Sequence, residues 1–589
     1  MVLGMERNDR LIRKKMYRYM LTGVMTTIAL QLGNVVDAMI VGNLLGSIGN
    51  GAINASTPYL YILQAMAILA GSGGAVSIAV LLGKRQVESA GRVMGFCIVI
   101  SVVYPLIFTC LFPVLVPLFV RLTGAAPELA RMITSITTVY SIGMPVISLV
   151  LVMAYLINVD NNPAMAARLH ITSNVVNLVL DYVLVRYTPL GITGAAMSTV
   201  IGYLVSGLIF IPWYFKSSSR MVSPVFRGLL KNTELITMTV KSGFPNLAYL
   251  IMTVISVAVL NSNVLRALGD SYFSAYSVTG NTQLIVQMFL NGVSSVIASV
   301  AGVLYGEKDY YGMRRVFSRV LKTAVLISAF IMVVFLAIPQ GVAALYGFDN
   351  DAVRADLMSG LRLFSLSFVF FSLNALTQNY YRTIGQTFLS TASSVLQLLV
   401  LKIPMMLAFM SVLGFKGLFA AIILSELTAF IVINIIRLIM QKAGIVPQKG
   451  FMAIPEYNSG DICDISIVGS DKEAARVSER IMEYCLKAGV SGSKAQTLGI
   501  AAEELIDNIA RYGYKESEEK DIDICLSKTD GMYYLRVRDD GIPFDPVAHE
   551  TAEGVEHELG GLELLKKMKV KMNYVRTLNL NNTVIEVEI

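Results

Sequence analysis

Charged side chains are scarce in this sequence. Only 15% of its 589 residues are charged, whereas soluble domains typically have about 25%. More than half of the residues (55%) are hydrophobic, and the mean hydropathy is +0.62. A chain with so few charges cannot cover its surface with groups that bind water. The composition therefore excludes an ordinary soluble protein and predicts an integral membrane protein.

Cysteine and histidine are also scarce, at five and three residues. No two cysteines have the CxxC spacing, and none combines with histidine at the spacing of a zinc site. The sequence therefore indicates neither a disulfide framework nor a metal centre built from these side chains.

Apolar runs are abundant instead, and twelve of them reach the roughly 20 residues that cross a bilayer. Their centres lie near residues 27, 66, 106, 148, 176, 203, 254, 290, 332, 370, 400 and 432. Short cytoplasmic loops are enriched in lysine and arginine, and alternate connectors carry such residues, for example Lys84 and Arg85. This pattern predicts a multi-pass protein of the cell membrane, surrounded by lipid bilayer, with its N- and C-termini in the cytoplasm.

The membrane part repeats itself at a constant spacing along the chain. The run Gly83–Arg85 matches Gly306–Lys308, and Leu190–Gly194 matches Leu413–Gly417 at the same spacing, which we call the repeat offset. Two halves of six spans have the same topology, so an axis along the membrane normal should relate them, with the substrate held between them near the midplane. This is the architecture of a rocking carrier rather than of a pore.

The sign of the charge divides the chain near residue 446. Residues 1–445 carry 31 Lys/Arg against 15 Asp/Glu, whereas residues 446–589 carry 17 against 26. Such an asymmetry marks a domain boundary. We expect a membrane domain at 1–445 with halves at about 10–220 and 230–440, a linker at 446–464, and a soluble domain at 465–589. The fold class expected for the first domain is an all-α membrane bundle of twelve transmembrane helices in two six-helix repeats.

Three carboxylates lie inside apolar segments: Asp37, Asp181 and Glu426. A charged side chain in hydrocarbon costs a few kcal/mol or more, so each of them is a functional candidate. Asn177 precedes Asp181 by four residues, which places both on one helix face. A carboxylate in dry surroundings can take a proton from one side of the membrane and release it to the other.

Only the first half keeps these carboxylates, because the repeat offset maps Asp37 to Leu260 and Asp181 to Pro404. Asp37, Asn177 and Asp181 are therefore the predicted coupling-cation site. The alternative interpretation puts Asp37 in water at a helix end and has Asp181 bridge two helices.

Two interpretations are open for Glu426, and two for Lys402. Glu426 is either a buried acid that faces a neighbouring helix or a residue of a cavity wall. Lys402 either extends towards the membrane surface or pairs with Glu426.

Several segments resemble those of the multidrug and toxic compound extrusion (MATE) family. They are Val36–Gly42, Asn158–Pro163, Asn177–Tyr182, Leu190–Ala196, Ser242–Pro245 and Tyr305–Asp309. In this order they identify the chain as similar to that family over about residues 10–440. The resemblance implies export of amphipathic, often cationic drugs and metabolites in exchange for H⁺ or Na⁺.

One branch of the MATE family has its acidic residues in the N-terminal half. There Asp37, Asn177 and Asp181 fall on the implicated positions, and the resemblance adds Thr199. Another branch has acidic residues in spans seven and ten, but residues 251–264 and 361–380 contain none. The resemblance therefore implies a coupling site in the first half.

The soluble tail carries residues suited to nucleotide chemistry. Glu504 and Asn508 are four residues apart on one helix face. An asparagine oxygen there can hold Mg²⁺, and a glutamate can polarise a water or hydroxyl as the catalytic base. Asp539 follows a predicted strand, where it can bind an adenine amino group.

Glycines next to these residues allow a nucleotide to approach the backbone. Gly541 follows Asp539 closely and permits near contact with the base. Gly560 and Gly561 precede a predicted helix, whose N-terminal amides can bind phosphate. The predicted nucleotide-binding set is thus Asn508, Asp539, Gly541, Gly560 and Gly561.

In this order the motifs resemble the three boxes of the GHKL ATPase superfamily, in particular the anti-sigma-factor serine kinases. The resemblance covers about residues 465–589 and implies an α+β GHKL-type sandwich that binds ATP with Mg²⁺. Pro543 and Glu563 depart from the family pattern, since both replace a usual glycine. ATP turnover is therefore left open.

The combined prediction is a cation-coupled antiporter with a cytoplasmic tail that is regulatory or resembles a serine kinase. No phosphate-binding loop of the G-x-x-x-x-G-K-[ST] type occurs in the sequence, so we expect ATP to regulate transport rather than to power it. The alternatives are a membrane-tethered serine kinase that acts on a cytosolic regulatory protein, and a flippase for a lipid-linked substrate. Small amphipathic or cationic molecules are the expected substrates, and nucleic acid is not an expected partner.

Overall fold

The structure is a computed structural model. It describes residues 5–6, 9–123, 127–217, 220–228, 232–340, 351–446, 453, 462–514, 521–529, 532–547, 564–565, 568 and 570–588. Within these ranges, side chains are not described at 5–6, 29–51 and 54, at some positions between 270 and 285, and at 351 and 471.

Helices, most of them long, form the membrane part. They are α1 (Arg10–Gly83), α2 (Val87–Thr123), α3 (Pro127–Val159), α4 (Pro163–Tyr187), α5 (Ile192–Lys216), α6 (Thr233–Val296), α7 (Gly302–Gly306), α8 (Tyr310–Ala337), α9 (Asp351–Ser365), α10 (Ser367–Thr383), α11 (Thr387–Val395) and α12 (Lys402–Lys442). Two π-helical turns, Ile297–Ala301 and Leu396–Val400, join α6 to α7 and precede α12. Helices dominate because a bilayer offers no water to the backbone polar groups, which must therefore bond within their own segment.

Eight helices among the described residues are long and apolar enough to cross a membrane, or nine if the bent pair α9 and α10 is one span. All twelve centres predicted from the sequence lie in helical segments. Helix α1 contains two of these centres, and so does α6, which is interrupted at Gly269 (φ 78°). The mostly helical membrane fold is confirmed, and the number of twelve spans stays a prediction.

The backbone repeats its irregularities at the repeat offset. Arg85 (φ 62°) and Lys308 (φ 58°) both adopt left-handed conformations. Gly191 (φ 51°) and Gly414 (φ 62°) form a second such pair. The two pairs of matching stretches therefore share their local backbone conformation at these positions.

The two halves meet at a pair of glycines, Gly83 at the end of α1 and Gly306 at the end of α7. A Cβ atom on Gly83 would lie 2.1 Å from the carbonyl oxygen of Val303, and one on Gly306 would lie 2.2 Å from that of Val80. The two contacts exchange under the repeat offset, because residues 80 and 83 map to residues 303 and 306. Any larger residue here would separate the two backbones, so this contact depends on glycine. We call the contact between Gly83 and Gly306 the seam.

Among its described residues, the tail has one sheet and two long helices, α13 (Asp471–Lys487) and α14 (Gly492–Tyr512). Its strands are β1 (Met5–Glu6), β2 (Ile462–Val468), β3 (Asp521–Thr529), β4 (Met532–Asp539), β5 (Lys571–Thr577) and β6 (Leu580–Glu588). They are ordered β1-β2-β3-β4-β6-β5, and all pairs are antiparallel except β1 with β2. Buried residues of both helices, such as Val477 and Leu498, form a core with Ile524 and Leu535 of the sheet. The expected α+β arrangement is present.

Substitution at the seam tests its role in packing. Gly306→Val should destabilise the protein by about 1–3 kcal/mol, because the added methyl groups collide with the backbone at Val80. Thermal unfolding of the purified protein in detergent measures the effect. Gly492→Ala is the control, since a Cβ there meets nothing within 4 Å. Equal melting temperatures for Gly306→Val and wild type would contradict the tight seam.

Candidate functional site

A buried polar cluster lies between α4 and α5 in the N-terminal half. Asp181 is 0% exposed, and Ser198 donates a hydrogen bond to its Oδ1. Asn177 Nδ2 lies 3.2 Å from Ser198 Oγ and 3.1 Å from Thr199 Oγ1. The close approach of the two helices depends on Gly202, where a Cβ would lie 2.5 Å from the backbone oxygen of Ser173.

The second carboxylate oxygen of Asp181, Oδ2, is buried and has no hydrogen-bond partner among the described residues. Buried polar atoms are nearly always paired, so an unpaired oxygen calls for an explanation. In dry surroundings a proton or a small cation would satisfy it. The cluster therefore has the chemistry of a cation site.

The structure brings Asn177, Asp181 and Thr199 together, and it adds Ser198. Sequence reasoning missed Ser198, although its place beside Thr199 in the same helix was a signal. Asp37 lies in α1, but its side chain is outside the described residues. Its part in the cluster stays a prediction.

A second buried carboxylate, Asp160, lies in the turn between α3 and α4 and holds the connector after α5. It accepts hydrogen bonds from the Tyr214 hydroxyl and from the backbone amides of Met221 and Val222. Burial raises the pKa of Asp160 to about 7, and these bonds oppose the shift. Both carboxylate oxygens of Asp160 accept hydrogen bonds from this connector, so we assign the residue to structure rather than to transport.

The end of β4 forms the candidate nucleotide pocket. Asp539 Oδ1 accepts hydrogen bonds from the amide of Gly541 and from Asn581 Nδ2, both at 2.8 Å. Burial raises the pKa of Asp539 to about 6. Its two donors fix the carboxyl group in position, and a fixed acceptor oxygen is suited to the amino group of an adenine.

Helix α14 ends against this pocket. The amide of Ile542 donates to the carbonyl oxygen of Gly513 at 2.7 Å, and a Cβ on Gly541 would lie 2.2 Å from the same oxygen. Gly541 is therefore needed for this close approach. The contact brings the helix that carries Glu504 and Asn508 next to the turn after Asp539.

Asn508 Nδ2 donates to the backbone oxygen of Glu504 at 2.7 Å. This bond uses the nitrogen and leaves the amide oxygen as the ligand type that Mg²⁺ prefers, so the residue fits the predicted metal role. The pKa of Glu504 is raised by desolvation and by the neighbouring Asp507 and Glu503. Gly560 and Gly561 lie outside the described residues.

The sheet of the tail contacts the second half of the membrane part through buried ion pairs. Glu307 accepts a hydrogen bond from Arg538 and lies 3.5 Å from Arg536. Asp309 lies 3.4 Å from Arg536 and 3.5 Å from Arg538. All four side chains are at most 12% exposed, and Asn582 adds a 2.7 Å hydrogen bond to Glu307.

The tail also contacts the first half. Arg85 pairs with Glu586 at 3.3 Å, and Asn161 Nδ2 donates to Asn579 Oδ1 at 2.5 Å. At the start of α1, Lys14 pairs with Asp540 at 2.9 Å and Arg10 pairs with Asp521 at 3.3 Å. One face of the sheet thus binds turns from both halves.

The pocket and the docking contacts use consecutive residues of the same strands. Asp539 lies opposite Asn581 in the sheet, and Arg538 lies opposite Asn582. Successive side chains of a strand point to opposite faces, so the first pair faces the pocket and the second faces the membrane part.

These features define a helical membrane carrier joined to a nucleotide-binding domain. Residues 24–183 and 218–407 match the MatE family model, and the chain belongs to this family. Residues 469–585 match the histidine kinase-like ATPase domain. Both resemblances inferred from the sequence are confirmed.

Relatives and solved structures agree with this assignment. The multidrug export protein MepA of Staphylococcus saprophyticus is 22% identical over 409 residues, which are 68% of this chain and 89% of that protein. MepA of Staphylococcus haemolyticus is 22% identical over 449 residues, 74% of this chain and 96% of its own.

Two solved structures show the same fold. An outward-facing multidrug resistance MATE family transporter of the MOP superfamily is 21% identical, has a TM-score of 0.69, and covers 73% of this chain and 96% of its own. A MOP superfamily transporter from Pyrococcus furiosus is 21% identical with a TM-score of 0.68 and the same coverage.

Asp539→Asn tests the pocket. It should weaken ATP binding by roughly 10-fold or more, because a hydrogen bond to a charged acceptor is lost. In the wild type, ATP affinity should fall as the pH drops through about 6, where the Asp539 carboxyl of the free protein takes up a proton. Fluorescent ATP-analogue titration of the full-length protein between pH 5 and 8 measures both effects. Unchanged affinity in Asp539→Asn would contradict the assignment.

Proposed function

We propose that this protein exports amphipathic or cationic small molecules in exchange for H⁺ or Na⁺, and that the nucleotide state of its tail regulates export. The observation that carries the export mechanism is the buried oxygen of Asp181, which has no partner among the described residues and lies beside Asn177, Ser198 and Thr199. The names of the MepA relatives, which are multidrug export proteins, support the substrate class.

The cycle needs one group that is stable in two charge states. With a cation bound, Asp181 is neutral and tolerates the dry surroundings. Without the cation it is charged, and its position beside hydroxyl and amide groups reduces the cost of burial. Cation entry from outside and release to the cytoplasm alternate with outward movement of the substrate, so the cation gradient drives export.

During the cycle, two six-helix halves rock relative to each other about the seam at Gly83 and Gly306. The reciprocal glycine contacts and the left-handed residues paired by the repeat offset support this two-fold arrangement. So do the two separate MatE matches, one in each half. The proposal includes twelve spans and cytoplasmic termini.

The tail regulates the cycle because it bonds to both halves at once. We call this set of contacts the brace. Opening towards the cytoplasm requires the halves to separate on that side. Glu307 and Asp309 of the second half and Arg85 and Asn161 of the first half are bonded to one sheet, which opposes the separation. The tail therefore stabilises the state that is closed to the cytoplasm.

ATP acts on this brace through the strands β4 and β6. A nucleotide at Asp539 and Asn581 fixes the strand ends, whose next residues, Arg538 and Asn582, bind Glu307. Bound ATP strengthens docking and slows export, because a ligand favours the state in which its site is ordered.

Glu504 supports a second candidate function, a serine kinase that acts on a cytosolic regulatory protein, because its side chain is only partly buried and can meet a substrate. Its raised pKa suits a general base. Incubation of the protein with labelled ATP and cytosolic protein distinguishes the two functions. Label transfer that Glu504→Gln abolishes would favour the kinase, and ATP binding without transfer would favour a purely regulatory tail.

Asp181→Asn tests the coupling site. In proteoliposomes with an imposed H⁺ or Na⁺ gradient, we expect gradient-driven efflux of a fluorescent organic cation to fall at least roughly 10-fold, because the amide has no negative charge with which to take up a proton or balance Na⁺. Glu128→Gln, at an exposed carboxyl, is the control and should leave efflux unchanged. If Asp181→Asn keeps wild-type gradient dependence, the proposed site is wrong.

The double substitution Arg536→Ala and Arg538→Ala tests the brace. It leaves Glu307 and Asp309 without their partners, so docking is lost. Wild-type efflux should slow when ATP is added on the tail side, and the double variant should export at one rate with or without ATP while still binding it. Lys487→Ala, which removes an exposed ion pair on the far helix, should behave as wild type. An unaltered ATP response in the double variant would contradict regulation through docking.

A further inference from the structure

A buried arginine without a counter-charge lies in the last turn of α10. Arg382 is 6% exposed, and two of its nitrogens, Nε and Nη1, are buried with no hydrogen-bond partner in the described part of the chain. Its third nitrogen, Nη2, donates to Asn379 Oδ1 at 2.9 Å, within the same helix. Buried polar atoms are nearly always paired, so two unpaired nitrogens on one side chain indicate a role other than packing.

No acidic side chain neutralises this arginine among the described residues. Tyr155 of α3 is the ionisable group that acts on it electrostatically, and a protonated tyrosine carries no charge. Elsewhere in the protein, Arg538 pairs with Glu307, and Lys402 has Glu426 as its counter-charge. A guanidinium is always protonated in proteins, so the charge on Arg382 is full and uncompensated.

The arginine lies where the two halves meet. Its neighbour Thr383 packs beside Gly302 of α7, where a Cβ atom would lie 3.6 Å from Thr383 Cγ2 and 2.9 Å from Ala79 Cβ of α1. Gly302 and Ala79 each precede a seam glycine by four residues, so this layer is about one helical turn from the seam. Tyr155 belongs to the first half, and its ring packs against Gly71 of α1. The charge of Arg382 is therefore at the contact between the halves.

This end of the membrane part is the one that meets the tail. The repeat offset maps Arg382 to Val159, the last residue of α3. Asn161 follows in the next turn and donates a hydrogen bond to the tail. Asp181 lies near the far end of α4, the helix that begins after this turn. In the proposed topology the tail is cytoplasmic, so Arg382 lies between Asp181 and the cytoplasm.

A purely structural role would not require a charge at this position. The hydrogen bond of Arg382 stays within its own helix and joins no other segment. A methionine could fill a similar volume and would avoid the cost of an unpaired buried charge. The charge itself is therefore the feature to explain. A positive charge in dry surroundings raises the free energy of any second cation near it, because a low dielectric screens the repulsion only weakly.

We infer that Arg382 is an electrostatic barrier that stops the coupling cation from leaking through the closed cytoplasmic side of the carrier. The inference rests on the proposed exchange of substrate for H⁺ or Na⁺. Fixed positive charges exclude protons and other cations from pores and transporters in the same way. When the halves separate on the cytoplasmic side, water reaches Arg382 and screens its charge. The barrier therefore falls at the step in which Asp181 releases its cation to the cytoplasm.

Cation leak in the absence of substrate tests this inference. Proteoliposomes hold a pH- or Na⁺-sensitive dye, and an H⁺ or Na⁺ gradient is imposed with neither substrate nor ATP present. Arg382→Met and Arg382→Gln should each admit cations at least roughly 10-fold faster than wild type, because the repulsion by one full charge is lost. Arg382→Lys keeps the charge and should stay close to wild type. Arg131→Met, at an exposed arginine of α3, is the control and should also match wild type.

A second measurement separates loss of the charge from damage to the packing. Sucrose is neutral and chloride is negative, so removal of a positive charge should not speed the escape of either from the vesicles. Arg382→Met and Arg382→Gln should therefore retain both solutes as wild type does. Leak of cations together with sucrose and chloride would indicate a loosened contact and would refute the barrier. Cation leak in both variants at the wild-type rate would refute it as well.

The same vesicles distinguish this inference from the proposed exchange. Asp181→Asn should lose gradient-driven efflux but keep the low cation leak of the wild type, because its barrier is intact. A wild type without gradient-driven efflux would contradict the exchange and, with it, the inference. Normal efflux combined with an unchanged leak in Arg382→Met would contradict the barrier alone.

Discussion

The contact between Gly83 and Gly306 constrains the rest of the molecule. With no side chains between them, the ends of α1 and α7 meet backbone to backbone, at distances that a Cβ atom would forbid. The next residues of each half are the turns that carry Arg85 and Glu307, so the seam brings these turns side by side. The tail can therefore bind both halves with a single sheet only because the two glycines hold the turns together.

Several carboxylates of this protein are buried, where a charge costs free energy. They differ in whether a positively charged partner compensates that cost. Glu307 and Asp309 are buried but fully matched by two arginines, which gives a stable and specific contact. Asp181 instead keeps a buried oxygen without a partner among the described residues. The matched charges join the tail to the membrane part, whereas the oxygen of Asp181 is the one that the proposed export cycle assigns to a coupling ion.

The alternation of side chains along β4 and β6 places the candidate nucleotide site and the contacts with the membrane part on opposite faces of one sheet. Asp539 and Arg538 are neighbours in sequence, yet one faces the nucleotide pocket and the other faces the membrane part, because strand side chains alternate. No moving element is needed between pocket and docking surface. In the regulation that we propose, a change of order on one face reaches the other through a single peptide unit.

The sequence alone determined the helical membrane fold, the family, the presence of the ATPase-like tail, and the positions of Asp181, Asn508 and Asp539. These follow from local patterns: apolar run length, the repeat offset, and motif order. Only the tertiary structure revealed Ser198 beside Asp181, the parallel pairing of β1 with β2, and the pairing of Arg538 with the distant Glu307. The physical reason is that periodicity states which side of a helix or strand a residue occupies. The neighbour that fills the opposite side is decided by how distant segments pack.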